Sequence, residues 1–329
     1  MEQGTSSSRR SILIVHGRGF KPAPETLMDI SLSAIRAGLQ RDYPDCVSTF
    51  DSLQVELAYY GDLTNELLLE QGRHYDESID VGDRQLALAA LREIPTRKRF
   101  GIRQYDRLPG KSAFGEFVAD VFVPVLAVFG LWMWVCSRKA SDFAHYLQGS
   151  SDYSSAVRER IRNKIAGVLA QGDRLLLISH GIGSAITWDV LWELSHDKRY
   201  AGLVDGAKVD TWLTLGSPLG DRQVRRRLRG ALETGVRRFP ANVVTWHNIA
   251  AEDDYVCHDK TLGDDFRKMM SEHVISAVND YKIYNHAVRF GKSNPHSSVG
   301  YYIHPRISKI LADWLLAGNP LTVTSHTPE

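Results

Sequence analysis

The chain is poor in cysteine. Its three thiols, Cys46, Cys136 and Cys257, are odd in number and widely spaced, which excludes a disulfide framework and gives no zinc-ligand pattern. Such usage suits a reducing compartment, and the sequence predicts a cytoplasmic protein. Net charge is scarce as well. With 40 basic and 39 acidic residues the formal charge is +1, without the positive excess from which a dedicated nucleic-acid binder draws its affinity. No apolar signal segment separates Arg9 and Arg10 from the first strand-like run, so no secretory signal is predicted. A phosphate-cradling glycine loop and a clustered His/Cys/Asp set are both missing, and neither a metal nor an organic cofactor is expected. No internal repeat or low-complexity tract is evident.

What the chain does have is a regular alternation of strand-like and helix-like segments. A hydrophobic content of 43% against 24% charged residues is that of a globular protein and not of a disordered one. Short apolar runs at Ser11–Val15, Leu53–Tyr60, Arg174–Ser179, Val209–Leu215 and Val243–Ile249 read as strands buried on both faces. Between them, 25–41, 83–92, 154–170, 182–194 and 305–316 carry helical periodicity. Strands alternating with helices imply a mostly parallel sheet with helices on both faces, an α/β fold. One domain is predicted over 11–320, with flexible tails at 1–10 and 320–329. The rhythm breaks at 96–150, which reads as an insertion.

Five short stretches carry the chemistry. Leu175-Leu-Leu-Ile-Ser-His-Gly-Ile-Gly-Ser184 is a buried strand, a tight turn and a helix start. The first strand ends in His16-Gly-Arg-Gly19, and a later one in Thr214-Leu-Gly-Ser-Pro-Leu-Gly220. Glu252-Asp-Asp-Tyr-Val256 follows the strand at 243–249, and Asn294-Pro-His-Ser-Ser298 precedes the last helix. Together they resemble the α/β-hydrolase superfamily on its lipase/esterase side, over most of the chain outside roughly 61–150. The first stretch is similar to the G-x-S-x-G nucleophile elbow of that superfamily. The resemblance implies a cap or lid at 96–150 and a carboxylic ester or acyl-lipid substrate. It also implies an oxyanion hole from the backbone of Gly17, Arg18 and Ile182. His296 would be the base and Asp254 the carboxylate that orients it. Asp253 and Glu252 remain rivals of Asp254. His304 is read as opening the final helix, and His286 and His258 as weaker candidates for the base.

The departure from the pattern is Gly181, which stands where the serine nucleophile belongs. Glycine takes the positive φ of such a turn without steric cost, so the fold is expected to survive, but no acyl-enzyme can form there. Either His296 activates water directly, or Ser184 or Ser217 substitutes as nucleophile, or the chain is an inert pseudo-hydrolase serving as a ligand-binding or protein-interaction module. The apolar segment 117–136, closed by Trp132, Trp134, Arg138 and Lys139, has three readings. It is a lid in peripheral contact with membrane or lipid, a buried core helix, or a membrane anchor. Asp120 and Pro124 argue against a simple span, which needs about 20 apolar residues. The arginines at 222, 225, 226, 227 and 229 are read as a solvated helix face.

Overall fold

A computed structural model describes residues 9–110, 140–149, 151–200, 202–257 and 261–317. The apolar segment 117–136, His258 and the tails up to residue 8 and from residue 318 lie outside the described residues. Along the chain run β1 (Arg10–Val15), α1 (Pro24–Asp42), β2 (Gln54–Ala58), α2 (Gly61–Glu70), α3 (Glu77–Arg92) and α4 (Ser141–Leu147). They are followed by α5 (Asp152–Ala170), β3 (Arg174–His180), α6 (Ile182–His196), β4 (Val209–Leu215) and β5 (Val243–Ala251). The chain then forms β6 (Ala277–Ile283), α7 (Ser298–Tyr302) and α8 (Pro305–Leu316). Shorter helical turns are left unlabelled.

The six strands make one sheet in the order β2-β1-β3-β4-β5-β6, with every pair parallel. The α/β architecture expected from the alternation is therefore present, and this sheet is wholly parallel. A separate antiparallel ribbon pairs Val288–Arg289 with Lys292–Ser293. Successive side chains of a strand point to opposite faces, and both faces are covered. Leu13, Val15, Leu175 and Leu177 pack with α5 and α6 through Ile161, Ile165, Ala185 and Leu191. Ile12, Ile14, Leu176 and Ile178 pack with α1 and α8 through Ile35, Leu39, Ile307 and Leu311. Continuous apolar runs were the signature of that two-sided burial.

Several elements depart from the sequence expectation. Helix α3 begins at Glu77 rather than near 83, because Asp76 caps it, its carboxylate accepting the Ile79 N–H at 3.1 Å. Helix α2 was read only as the end of a strand. Strand β6 was missed because Ala-Val-Asn-Asp-Tyr-Lys-Ile has no apolar run. It lies at the sheet edge and is buried only in part. The flank of the predicted insertion also belongs to the main body. In α4, Phe143, Tyr146 and Leu147 are buried in the same core as α5, and Tyr146 donates to Asp189 Oδ2 at 2.7 Å.

Among the described residues no helix is long and apolar enough to cross a membrane. Within the basic stretch, Arg225 pairs with Asp265, Arg229 with Glu193 and Arg237 with Glu233.

Candidate active site

The register brings three strand ends together. Val15 pairs with Ser179, and His180 with Leu215, so the loops after β1, β3 and β4 open at one carboxyl edge of the sheet. Ligands of open α/β sheets bind at that edge.

At its centre is Gly181, with φ 54° and ψ −128°. A side chain there would be strained. The turn is pinned by the Gly181 N–H, which donates to the Leu215 carbonyl at 2.8 Å, and by the Gly181 carbonyl, which accepts from the Ser184 N–H at 3.0 Å. Gly183 answers a different need. A Cβ at that position would overlap the His16 carbonyl, so its absence lets α6 start directly against the end of β1. Ile182 opens α6, where backbone N–H groups have no intrahelical acceptor and the helix dipole is positive.

The β1 loop is set by His16. Its Nε2 accepts the Tyr60 N–H at 3.1 Å, so the proton sits on Nδ1, which donates to the Gly17 carbonyl at 2.9 Å. The Tyr60 hydroxyl adds a bond to the His16 carbonyl at 2.7 Å and a longer one to Gly17 at 3.3 Å. Burial, reinforced by Lys21, holds the His16 pKa well below the usual histidine value, so the ring stays neutral. Since the peptide is planar and trans, fixing the Gly17 carbonyl toward these rings turns the Arg18 N–H the opposite way. Gly17 itself has no room for a side chain, because a Cβ would come within 2.7 Å of His180 Nδ1.

The acid–base pair assembles from two later loops. His296 Nδ1 lies 2.9 Å from Asp254 Oδ2 and 3.0 Å from Oδ1. A carboxylate only accepts, so Nδ1 carries the proton and Nε2 the lone pair. Asp254 is fully buried. Burial works against its charge, but His296, the Tyr301 hydroxyl at 2.7 Å and the Val256 N–H at 3.0 Å outweigh it and hold the carboxyl below its ordinary pKa. Tyr301 is itself fixed by accepting the Ala251 N–H at 2.9 Å. The three side chains can converge because residue 216 is glycine, where a Cβ would stand 2.7 Å from Asp254 Oδ2 and 3.1 Å from His296 Nδ1.

His296 Nε2 is buried and has no hydrogen-bond partner among the described residues. It faces the elbow, where a Cβ built on Gly181 would lie 2.8 Å from it. His180, fully buried and kept neutral chiefly by burial, bonds through Nε2 to the His296 carbonyl at 3.0 Å. Its ring centroid lies 4.6 Å from that of His296. The geometry thus offers an oriented base, backbone donors beside it and no side-chain nucleophile between them.

The other named residues lie elsewhere. Asp253 (φ 60°) and the Glu252 carbonyl both meet the Tyr105 hydroxyl, at 3.1 and 3.0 Å, which leaves Asp254 as the carboxylate at His296. His304 caps α8 by accepting the Arg306 N–H at 3.1 Å, and burial pushes its pKa down to about 3. Both nitrogens of His286 meet backbone carbonyls, of Tyr284 and Gly101. Ser184 Oγ is fully buried and returns to the Ser179 carbonyl at 3.2 Å. Ser217 accepts the Leu219 N–H at 3.2 Å as a local cap. Cys257 is buried, and burial raises its thiol pKa well above normal. Among the described residues no group of three or more His, Cys, Asp or Glu could hold a metal ion.

The sequence reading missed Tyr301 and the role of His180. Tyr301 carried no motif, whereas His180 stood inside the elbow as an unassigned position. No family model, no curated protein and no solved structure matches this chain.

Proposed function

We propose that the chain is an α/β-hydrolase-type protein of the lipase/esterase kind, acting on carboxylic ester or acyl-lipid substrates. In this reading His296 activates water in place of the absent serine, and the insertion within 96–150, short of its flank in α4, serves as the cap. The observation that carries the proposal is the buried, unpartnered Nε2 of His296, oriented by Asp254 and facing Gly181. A basic nitrogen left without a partner costs stability, and a proton acceptor beside a scissile bond is what that cost can serve. The acyl-lipid part rests on the apolar sequence at 117–136.

The chemistry balances without a covalent intermediate. Water gives a proton to His296 Nε2 as its oxygen bonds to the ester carbonyl carbon. The Arg18 and Ile182 N–H groups, beside Gly17, take the charge that develops on the carbonyl oxygen. The adduct then expels the alcohol oxygen, which recovers the proton from the imidazolium, and acid and alcohol leave. Asp254 holds the tautomer and stabilises the imidazolium in between.

Gly181 favours a second reading, a ligand-binding module on a hydrolase-type scaffold, because the imidazole fills the space a Cβ would need. The test is ester hydrolysis over a series of acyl chain lengths by the wild-type protein and His296→Ala. Turnover lost in the variant supports the hydrolytic reading. A folded wild-type protein that turns over no ester sinks it in favour of the binding module.

A further inference from the structure

The cavity beside His296 holds a feature that ester hydrolysis does not require. It measures about 160 Å3, and its lining among the described residues includes Arg18, Lys21, Arg84 and Arg289 but no carboxylate. The acids stand behind the cations. Arg84 gives only its Nε to Asp80, at 2.9 Å. Arg289 bonds Asp83 through Nε and Asp80 through Nη2, the latter at 2.7 Å. Clamping α3 to the 288–293 ribbon accounts for these bonds. It does not account for the two terminal nitrogens of Arg84 or for Nη1 of Arg289, which have no protein acceptor among the described residues. Both side chains are at least nine-tenths buried.

One further observation points to a ligand. Ser297 lines the same cavity, is 5% exposed, and its Oγ is buried without a partner among the described residues. Lys21 directs its ammonium to the carbonyls of Arg18, Gly19 and Phe20. Those bonds occupy its donors, so Lys21 holds the loop after β1 and leaves ligand contact to the arginines and Ser297.

We propose that this cavity is an anion subsite, taking an ionised oxyacid group, carboxylate or phosphate, on the small molecule whose other end meets His296. Arg84 and Arg289 supply guanidinium donors, which match the planar or tetrahedral oxygens of such groups, and Ser297 supplies a hydroxyl. Its link to an ester rests on the hydrolytic reading, but the binding of an anion does not.

The test is calorimetric titration of the purified chain with succinate, with inorganic phosphate and with neutral succinamide, repeated on Arg84→Lys and Ser297→Ala. The expected result is binding of an anion but not of succinamide, weakened about tenfold by Arg84→Lys, which keeps the charge and loses the fork, and a few-fold by Ser297→Ala. A preference for succinate or for phosphate identifies the acid group. Absence of anion binding, or equal binding by wild type and both variants, overturns the proposal. Anion binding without any ester turnover would leave the subsite standing and remove the hydrolytic reading. Hydrolysis of neutral esters without anion binding would do the reverse.

Discussion

The two halves of the site are built to different standards. On the acid–base side, Asp254 receives three hydrogen-bond donors, His296 is fixed at Nδ1 and buttressed by His180, and Gly216 makes room for the convergence. On the nucleophile side, the turn has its positive-φ backbone at Gly181, held by two backbone hydrogen bonds, and has no side chain. A buried, charged and fully bonded carboxylate is the more demanding of the two to maintain, because each missing partner would leave a desolvated charge. The half that is expensive in folding terms is the half that is complete. The hydrolytic proposal rests on that asymmetry.

Restoring the missing half should give the largest effect. Gly181→Ser places a hydroxyl beside His296 Nε2, and turnover is expected to rise by several orders of magnitude, with a pre-steady-state burst of alcohol. Roughly a million-fold is at stake when such a serine is removed elsewhere. The same variant should lose about 1–3 kcal/mol of stability, because serine is held at positive φ. Burst kinetics together with urea unfolding read both changes. A folded variant without a burst would mean that the two halves no longer align. Breaking the complete half comes next. Asp254→Asn in the Gly181→Ser background should lower kcat by about 10⁴ through the wrong tautomer of His296, measured on the same ester.

Acid sharpens the comparison from the side of stability. His16, His180 and His304 are neutral in the fold, their pKa values depressed chiefly by burial, that of His304 to about 3 from an ordinary 6.5. Below pH 6.5 the unfolded chain takes up protons that the folded one refuses, so stability is complete above that value and falls as pH drops. Asp254, also depressed, adds a loss of the same sign lower down, below the usual carboxylate range. Urea titrations from about pH 7 to about pH 4 should show the fall, and His304→Asn, which keeps a capping acceptor, should flatten it by up to about 1.4 kcal/mol per pH unit. The smallest effects belong to the spare hydroxyls. Ser184→Ala and Ser217→Ala should leave turnover unchanged and cost stability by about 1 kcal/mol each. Loss of hydrolysis in either would relocate the nucleophile.

The legible parts of this molecule were those with local causes. The run Leu175–Ile178 followed by Gly181 and Gly183 announces strand, turn and helix in one short window, and His296 could be found from its place before the last helix. Choosing among Glu252, Asp253 and Asp254 needed the structure, since neighbouring residues of one turn point in different directions, and the positive φ of Asp253 sends its carboxylate to Tyr105. Strand β6 was hidden by its polar, half-exposed edge position. In the Arg84–Asp80–Arg289 array only the Asp80–Arg84 pair, four residues apart on α3, has a local spacing, whereas Arg289 and Asp80 are 209 residues apart and no pattern links them.

The close seat of α6 against β1 has a mechanical consequence. With the His16 carbonyl where a Cβ of residue 183 would lie, the first turn of the helix is stiff and cannot slide. The imidazole of His296 hangs from a loop and is partly exposed, so it is the compliant member of the corner. Any atom introduced at position 181, whether a mutant side chain or a bound ligand, meets that ring first, since a Cβ there would lie 2.8 Å from Nε2. The displacement of His296 is then a gauge of how tightly the corner grips its occupant.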